Sequence, residues 1–279
     1  MHLILIVAAL SLAWHLRRRW SYSKGNWAER WQRSLLLFAF PPMLLIMSSI
    51  AVFCMGPYGQ MVGFWDGKLS YILAVLFLGQ AAFFFLKLVW EARLFLLQIR
   101  TYPRKKIAEV PVRILTTPGL FAAIIGFWQP EFVVSSGLLQ TLDRDHLEAV
   151  FAHERAHYHY RDTFWFFWLG WLRQITAWLP HTKALWEELL ILRELRADAK
   201  AAGEVDSLLL AEALLLVASS GYRHFDIMCL IGAVELQHRL EERIEALLGA
   251  PQSPIKANHW FLAWWLLTLL PLLTVLFHT

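Results

Sequence analysis

The pentapeptide His153-Glu154-Arg155-Ala156-His157 constrains this chain more than any other feature. Residues four apart on an α-helix lie one above the other on a single face. Two imidazoles placed that way can hold one metal ion from the same side. Glu154 is rotated around the helix and cannot share their coordination position, but it can reach a water beside the metal as a general base. Some 40 residues further on comes Glu194-Leu195-Arg196-Ala197-Asp198. A third ligand from Glu194 leaves one coordination position open, which is the arrangement of a catalytic zinc rather than a structural one. The competing reading is a histidine pair satisfied within a core.

The flanking residues favour a helix. Asp143 is placed to cap it, and Leu142 and Leu147 are spaced as a hydrophobic staple. From Arg144 to about Tyr160 there is no Pro or Gly, and Ala149, Val150, Ala152 and Ala156 are small enough for close packing.

Composition sets the surroundings. Hydrophobic residues make up 58% of the chain, with 15 Trp and 19 Phe, and only 17% is charged. Soluble domains run at roughly 45–50% apolar and 25% charged. The excess lies in blocks, so the expected class is a polytopic membrane protein. The net charge of +4 sits beside those blocks, which fits membrane topology and not direct nucleic-acid binding. Cys54 and Cys229 have no ligand or disulfide spacing and read as packing residues.

Three N-terminal spans are expected: His2–Leu16, Leu35–Met55 and Leu69–Trp90. The first is an uncleaved anchor, because its arginines follow the apolar stretch rather than precede it. Pro41-Pro42 in the second predict a kink or a late helix start. Arg17, Arg18, Arg19, Lys24, Arg30 and Arg33 follow the first span, and Arg93, Arg100, Arg104, Lys105 and Lys106 follow the third. By the positive-inside rule both clusters are cytoplasmic and the 56–68 loop is external. A fourth span is expected at His259–Phe277.

The expected organisation is three transmembrane helices in 1–92, a cytoplasmic zinc-peptidase domain in 93–255, and a transmembrane helix in 256–279. Glu109–Leu115 and Phe132–Ser135 read as strands of a small antiparallel sheet whose edge can pair with an extended substrate backbone. Residues 163–179 are apolar and aromatic, but a true span there would put Glu194 across the bilayer from His153 and His157. That segment therefore re-enters, or lies flat as a membrane-associated helix. Helices are expected at Lys183–Gly203, Ser207–Ser220 and Val234–Gly249.

Gly126-Phe127-Trp128-Gln129-Pro130 with the following Phe132–Gly137 stretch, the run from Ala149 to Asp162 (AVFAHERAHYHYRD) and the run from Arg193 to Ala199 (RELRADA) resemble the BlaR/MecR-type membrane zinc metallopeptidases. The resemblance implies a mainly α-helical polytopic membrane protein with a gluzincin-like α+β protease domain. It also implies a bacterial inner-membrane location and a cytoplasmic protein substrate, in many members a winged-helix repressor of the BlaI/MecI kind. No stretch of sensor-domain length follows the last apolar block, so the penicillin-binding sensor of the antibiotic-responsive members is not expected. The chain is also similar to HtpX-type quality-control and CAAX-processing proteases, which share the distal Glu-x-x-x-Asp and a pattern like Arg243-Ile244-Glu245-Ala246-Leu247. A third reading is a non-catalytic membrane receptor that uses the fold to bind a partner.

The expected roles follow. His153, His157 and Glu194 are the Zn²⁺ ligands and Glu154 is the catalytic base. Asp198, one turn beyond Glu194 on the same face, orients a ligand histidine through its other ring nitrogen. Asp162 reads as a cap for the next helix, and His159 points away from the site. Arg243 and His238 are weak candidates for oxyanion stabilisation, with a solvated helix face as the alternative for both.

Overall fold

The computed structural model describes residues 2–22, 26–57, 64–107, 109–219, 239–249 and 264–277. The chain forms two compact units. One holds Met1–Lys87, Trp171–Leu189 and Pro254–Thr279; the other holds Leu88–Gly170 and Leu190–Ser253.

In the first unit α1 (His2–Arg18) packs along α2 (Trp27–Met55), which is followed by α3 (Phe64–Arg100). The helix α2 starts at Trp27, where the Asn26 side chain accepts from the Ala28 N–H. Pro41 and Pro42 therefore lie inside it rather than at its start. Pro42 has no N–H to give the carbonyl four residues back. That carbonyl belongs to Phe38, and Arg17 Nη2 donates to it at 2.9 Å, while Arg17 Nη1 donates to Thr182 Oγ1 at 3.2 Å. Arg30 pairs with Glu188 at 2.7 Å. Two residues of the first basic cluster are thus buried and engaged, not solvated.

Among the described residues, two helices are suited by length and composition to crossing a membrane, Trp27–Met55 and Gly67–Arg100. The expected first span, α1, has 17 residues and falls short of the usual ~20. The start of the expected last span lies outside the described residues. Its described part is not one unbroken helix: turns at Thr268 and Leu269 precede α10 (Leu270–Leu273) and a 3₁₀ turn at Thr274–Phe277.

The second unit is built on a four-stranded sheet: β1 (Arg104–Ile107), β2 (Val110–Leu115), β3 (Ala122–Ile125) and β4 (Glu131–Ser135), in the order β1-β2-β4-β3. The expected all-antiparallel sheet is corrected here, because β2 and β4 run parallel. The 116–121 segment carries the chain past one strand position, so β4 inserts between β2 and its own hairpin partner β3. That crossover is pinned to the chain after β4. Gly137 N–H donates to Thr117 O at 2.9 Å, and Ser136 Oγ donates to the same carbonyl. A Cβ at Gly137 would fall 2.0 Å from Pro118 O, so only glycine permits the approach.

Alternate residues of β4 face opposite sides of the sheet. Phe132 and Val134, with Val112, pack against Ala149–Ala152 of α5 (Arg144–Tyr160) and Leu210, Ala211 and Ala213 of α8 (Ser207–Ser219). Val133, with Leu115 and Ile125, packs against Ile99 near the end of α3. The short α4 (Ser136–Thr141) leads from the sheet to α5. Asp143 caps α5 through the His146 N–H at 2.9 Å.

The helix α6 (Asp162–Ile175) has 14 residues, about 21 Å, which is less than the ~30 Å hydrocarbon core. Beyond it lie α7 (Thr182–Ala201) and α9 (Leu240–Leu248). Most of the expected Val234–Gly249 helix before Arg239, including His238, lies outside the described residues, as does Cys229.

Candidate metal centre

Two helices of the second unit meet at the site. One turn of α5 separates His153 from His157, and their Nε2 atoms stand 3.0 Å apart. Glu194 on α7 brings Oε2 to 3.3 Å from His153 Nε2 and 3.6 Å from His157 Nε2. Ligand atoms 2.0–2.1 Å from a tetrahedral zinc lie about 3.3–3.4 Å from one another. The three donor separations bracket that value, so the group fits a single ion.

The chemistry of the donors supports the same conclusion. Asp198 Oδ1 lies 2.8 Å from His153 Nδ1, and Asp162 Oδ2 lies 2.8 Å from His157 Nδ1. A carboxylate at Nδ1 holds the proton there and turns the Nε2 lone pair outward. Both lone pairs point to the place that Glu194 Oε2 also faces. A cation, whether a proton or a metal ion, satisfies three such groups at once. His153, His157 and Glu194 can therefore hold a metal ion.

Each carboxylate is itself held. Arg193 donates twice to Glu194 Oε1, at 2.9 and 2.7 Å, which leaves Oε2 for the histidines. Arg243 of α9 forks onto Asp198, Nε to Oδ2 at 2.7 Å and Nη2 to Oδ1 at 2.8 Å. Its Nη1 lies 3.6 Å from Glu194 Oε2. Asp162 accepts from Arg196 through Oδ1, and the Arg196 guanidinium lies over the Tyr160 ring at 4.2 Å. Asp162, expected to cap the next helix, is instead the first residue of α6, and its side chain reaches back to His157 and Arg196.

Burial and charge set the protonation states. Burial raises the Glu194 carboxyl, but Arg193 and the two histidines outweigh it and hold the group well below the usual range. Burial is likewise outweighed at Asp198 by Arg243 and His153, and its pKa falls. Burial disfavours the charged His153 ring, yet Asp198 and Glu194 bring it up to about 10. Glu154 differs. Burial raises it, only partly countered by His157 and His153. Its Oε2 accepts from the Ile124 N–H of β3 at 3.1 Å.

That bond places Glu154 beside the outer edge of β3, the last strand of the sheet among the described residues. Phe121 O accepts from Ser135 N–H, so Phe121 faces β4. By alternation the backbone groups of Ala122 and Ile124 face away from β4, toward the site.

A family model for peptidase family M48 matches residues 103–247, more than half of the 279-residue chain. The chain belongs to peptidase family M48. The matched stretch contains the sheet, the α5 histidines, Glu194, Asp198 and Arg243. A comparison with curated proteins gave no match. Membership in M48 makes this a metallopeptidase; it does not carry the narrower BlaR/MecR-type kinship.

Of the residues read from sequence, His153, Glu154, His157, Glu194 and Asp198 all lie at this one place. His159 is exposed and outside it. Asp162 and Arg193 also belong to it, although neither was read that way, and Arg243, read as a weak oxyanion candidate, belongs to it through Asp198. Arg243 is buried against Asp198 and is not on a solvated face. The signal that finds it is the spacing of Arg243 and Leu247, both buried, on a helix that otherwise carries exposed acids.

Proposed function

We propose that this M48 peptidase is a membrane-embedded zinc endopeptidase that cuts protein chains at the cytoplasmic face of a bacterial inner membrane. The observation that carries the reading is the convergence of three metal donors with a buried carboxyl, Glu154, beside the outer edge of strand β3.

His153, His157 and Glu194 would hold Zn²⁺. The bound ion would supply Lewis acidity toward the scissile carbonyl and toward water. An extended substrate segment pairs with the outward backbone groups of Ala122 and with the Ile124 carbonyl, while the Ile124 N–H holds Glu154, which sets the scissile bond beside that carboxylate. Glu154 takes a proton from the attacking water at its carboxylate and returns it to the leaving amine. A pKa raised by burial suits that double role, because the carboxyl then holds a transferred proton more readily until it is returned to the amine. Asp198 and Asp162 keep the two imidazoles turned to the ion, and Arg243 and Arg193 keep the carboxylates from turning away.

The narrower substrate assignment has two forms. The hairpin and the metal helix favour a signalling protease that cleaves a winged-helix repressor. The Arg243–Leu247 pattern favours a quality-control or CAAX-type processing protease. The family match extends through that pattern, and Arg243 grips Asp198, so the second form has the more specific support.

Glu154→Gln in the full-length, detergent-solubilised protein tests the proposal. The three donors remain, so zinc content should stay at the wild-type level while cleavage of an unfolded protein substrate is lost. Loss of zinc together with cleavage would make Glu154 a structural group and reject the assigned chemistry.

A further inference from the structure

One end of the sheet in the second unit presents aromatic and basic side chains together. The 126–130 turn between β3 and β4 carries Phe127 and Trp128. Phe127 stacks on Phe164 of α6 at 4.9 Å and packs on Phe167 at 4.5 Å. Trp128 is 80% exposed and Trp165, on the same helix as Phe164, is 58% exposed. A Cβ at Gly126 would stand 3.3 Å from Leu96 Cδ1, so the turn also touches α3. There Phe95 and Ile99 face the sheet. Trp90, Leu94 and Leu97, spaced along one helical face, are all more than half exposed.

The basic side chains stand at the same end. The parallel register pairs Val112 with Phe132, so Val110 is level with Pro130. The β1–β2 turn and the aromatic turn therefore project from one end of the sheet. Lys105 and Lys106 of β1 are exposed there, and Glu109 is the nearby acid, 3.9 Å from Lys106. Arg100 and Arg113 both pair with Glu131, at 3.6 and 3.2 Å, so that two cations meet one further acid there.

Exposed indoles bordered by lysines and arginines suit the boundary of an anionic bilayer. Tryptophan prefers the headgroup level, and basic residues there meet acidic lipids. The length of α3 points the same way. The stretch Gly67–Arg100 has 34 residues, about 51 Å, against a hydrocarbon core of ~30 Å. A helix that enters the bilayer at its N-terminal end therefore leaves the core over its last turns, where Trp90, Leu94 and Leu97 lie. We propose that the Phe127–Trp128 turn, Trp165 and the Trp90–Leu97 face form a membrane-interface surface that seats the catalytic unit against an anionic leaflet. The proposal rests on the reading that α3 crosses a membrane. Strand β3 runs directly into the seated turn, so the edge that receives substrate starts at the bilayer surface. That position favours substrates emerging from the membrane.

The test uses the full chain with Cys54→Ala and Cys229→Ala, reconstituted in phosphatidylcholine–phosphatidylglycerol vesicles. A bimane probe is attached to Trp128→Cys, Trp165→Cys, Leu76→Cys or Asp145→Cys in separate preparations. Leu76 is an exposed residue in the apolar part of α3, and Asp145 is an exposed residue at the start of α5. Lipids with a nitroxide near the headgroup should quench the probes at 128 and 165 and leave the probe at 145 bright. A nitroxide deep in the acyl chain should quench the probe at 76. Quenching at 76 without quenching at 128 or 165 overturns the interface surface and leaves the spanning helix standing. No quenching at any position overturns the membrane reading and the surface with it. If added protein substrate, rather than lipid nitroxide, changes the probe at 128, the face binds substrate and the lipid proposal fails.

Discussion

Asp162→Ala should separate two functions that one carboxylate performs. Asp162 is buried, 2% exposed, with one oxygen 2.8 Å from His157 Nδ1 and the other accepting from Arg196. Without it, His157 loses the group that fixes its tautomer and ring angle. Removing such a partner usually weakens metal binding by about 10–100-fold, or about 1.4–2.8 kcal/mol. The second loss concerns Arg196, whose side chain is 17% exposed. Breaking a buried ion pair from one side costs roughly 3–5 kcal/mol. The Tyr160 ring contact at 4.2 Å is common to both proteins and leaves that difference unchanged. The metal-free variant should thus be less stable by up to roughly 3–5 kcal/mol. Competition dialysis against a zinc chelator measures the first effect, and denaturant unfolding of the metal-free protein measures the second. Adding Arg196→Met removes the cation that Asp162 pairs with. The double variant should recover most of the stability and none of the zinc affinity. Wild-type zinc affinity in Asp162→Ala would refute the reasoning. So would a double variant in which affinity returns along with stability, because the histidine would then depend on the fold and not on the carboxylate.

Glu194→Ala should lose metal, since it removes one of three donors; wild-type zinc occupancy after mild chelation would reject Glu194 as a ligand. The metal-free protein should lose stability as pH rises. His153 is raised to about 10 in the folded state, so its contribution is complete below the ordinary value near 6.5 and disappears as pH climbs through about 10. Denaturant midpoints between those limits should fall, and in His153→Ala the slope should flatten; an equal slope in both proteins would assign the fall to other groups. Gly137→Ala should cost about 1–3 kcal/mol, because its Cβ would fall 2.0 Å from Pro118 O. Gly79→Ala has open space around its Cβ, and thermal unfolding should show it unchanged or more stable.

The parts of the fold legible in the sequence were those fixed by local chemistry. Helix α5 follows from the Asp143 cap and the Pro-free, Gly-free run behind it, and it forms where those residues put it. Strands β2 and β4 lie within a residue of the expected bounds. Strand β1 was missed because Arg104-Lys105-Lys106 looks like a cytoplasmic charge cluster, and an edge strand with an exposed face tolerates such residues. The pairing of β2 with β4 was missed for a different reason. Short strands around turn signals suggest hairpins, whereas sheet order depends on where the intervening segment is tied. That tie is made by Gly137 and Ser136, about 20 residues after Thr117.

The two prolines of α2 illustrate the same limit. A Pro-Pro pair carries a local instruction to bend or break a helix, and the expected late start obeyed it. The helix continues because Arg17, on another helix, donates to the Phe38 carbonyl that Pro42 leaves without a backbone donor. The site divides along this line as well. His153, Glu154, His157, Glu194 and Asp198 are legible because helical spacing alone places each of them relative to a neighbour. Asp162 has two readings of very different range: a cap acts on its own first turn, whereas a partner for His157 exists only once the chain reverses at Arg161, a non-glycine residue with φ of 53°. That reversal folds α6 back so that the carboxylate five residues beyond His157 meets its ring. Arg243 is more remote still. No spacing rule links it to Asp198, 45 residues away, and its amphipathic helix predicts a solvated charge. Only the docking of α9 beside α8 turns that charge inward. The metal donors were therefore readable from the helix period, while the groups that hold those donors in position arise from contacts the period does not encode.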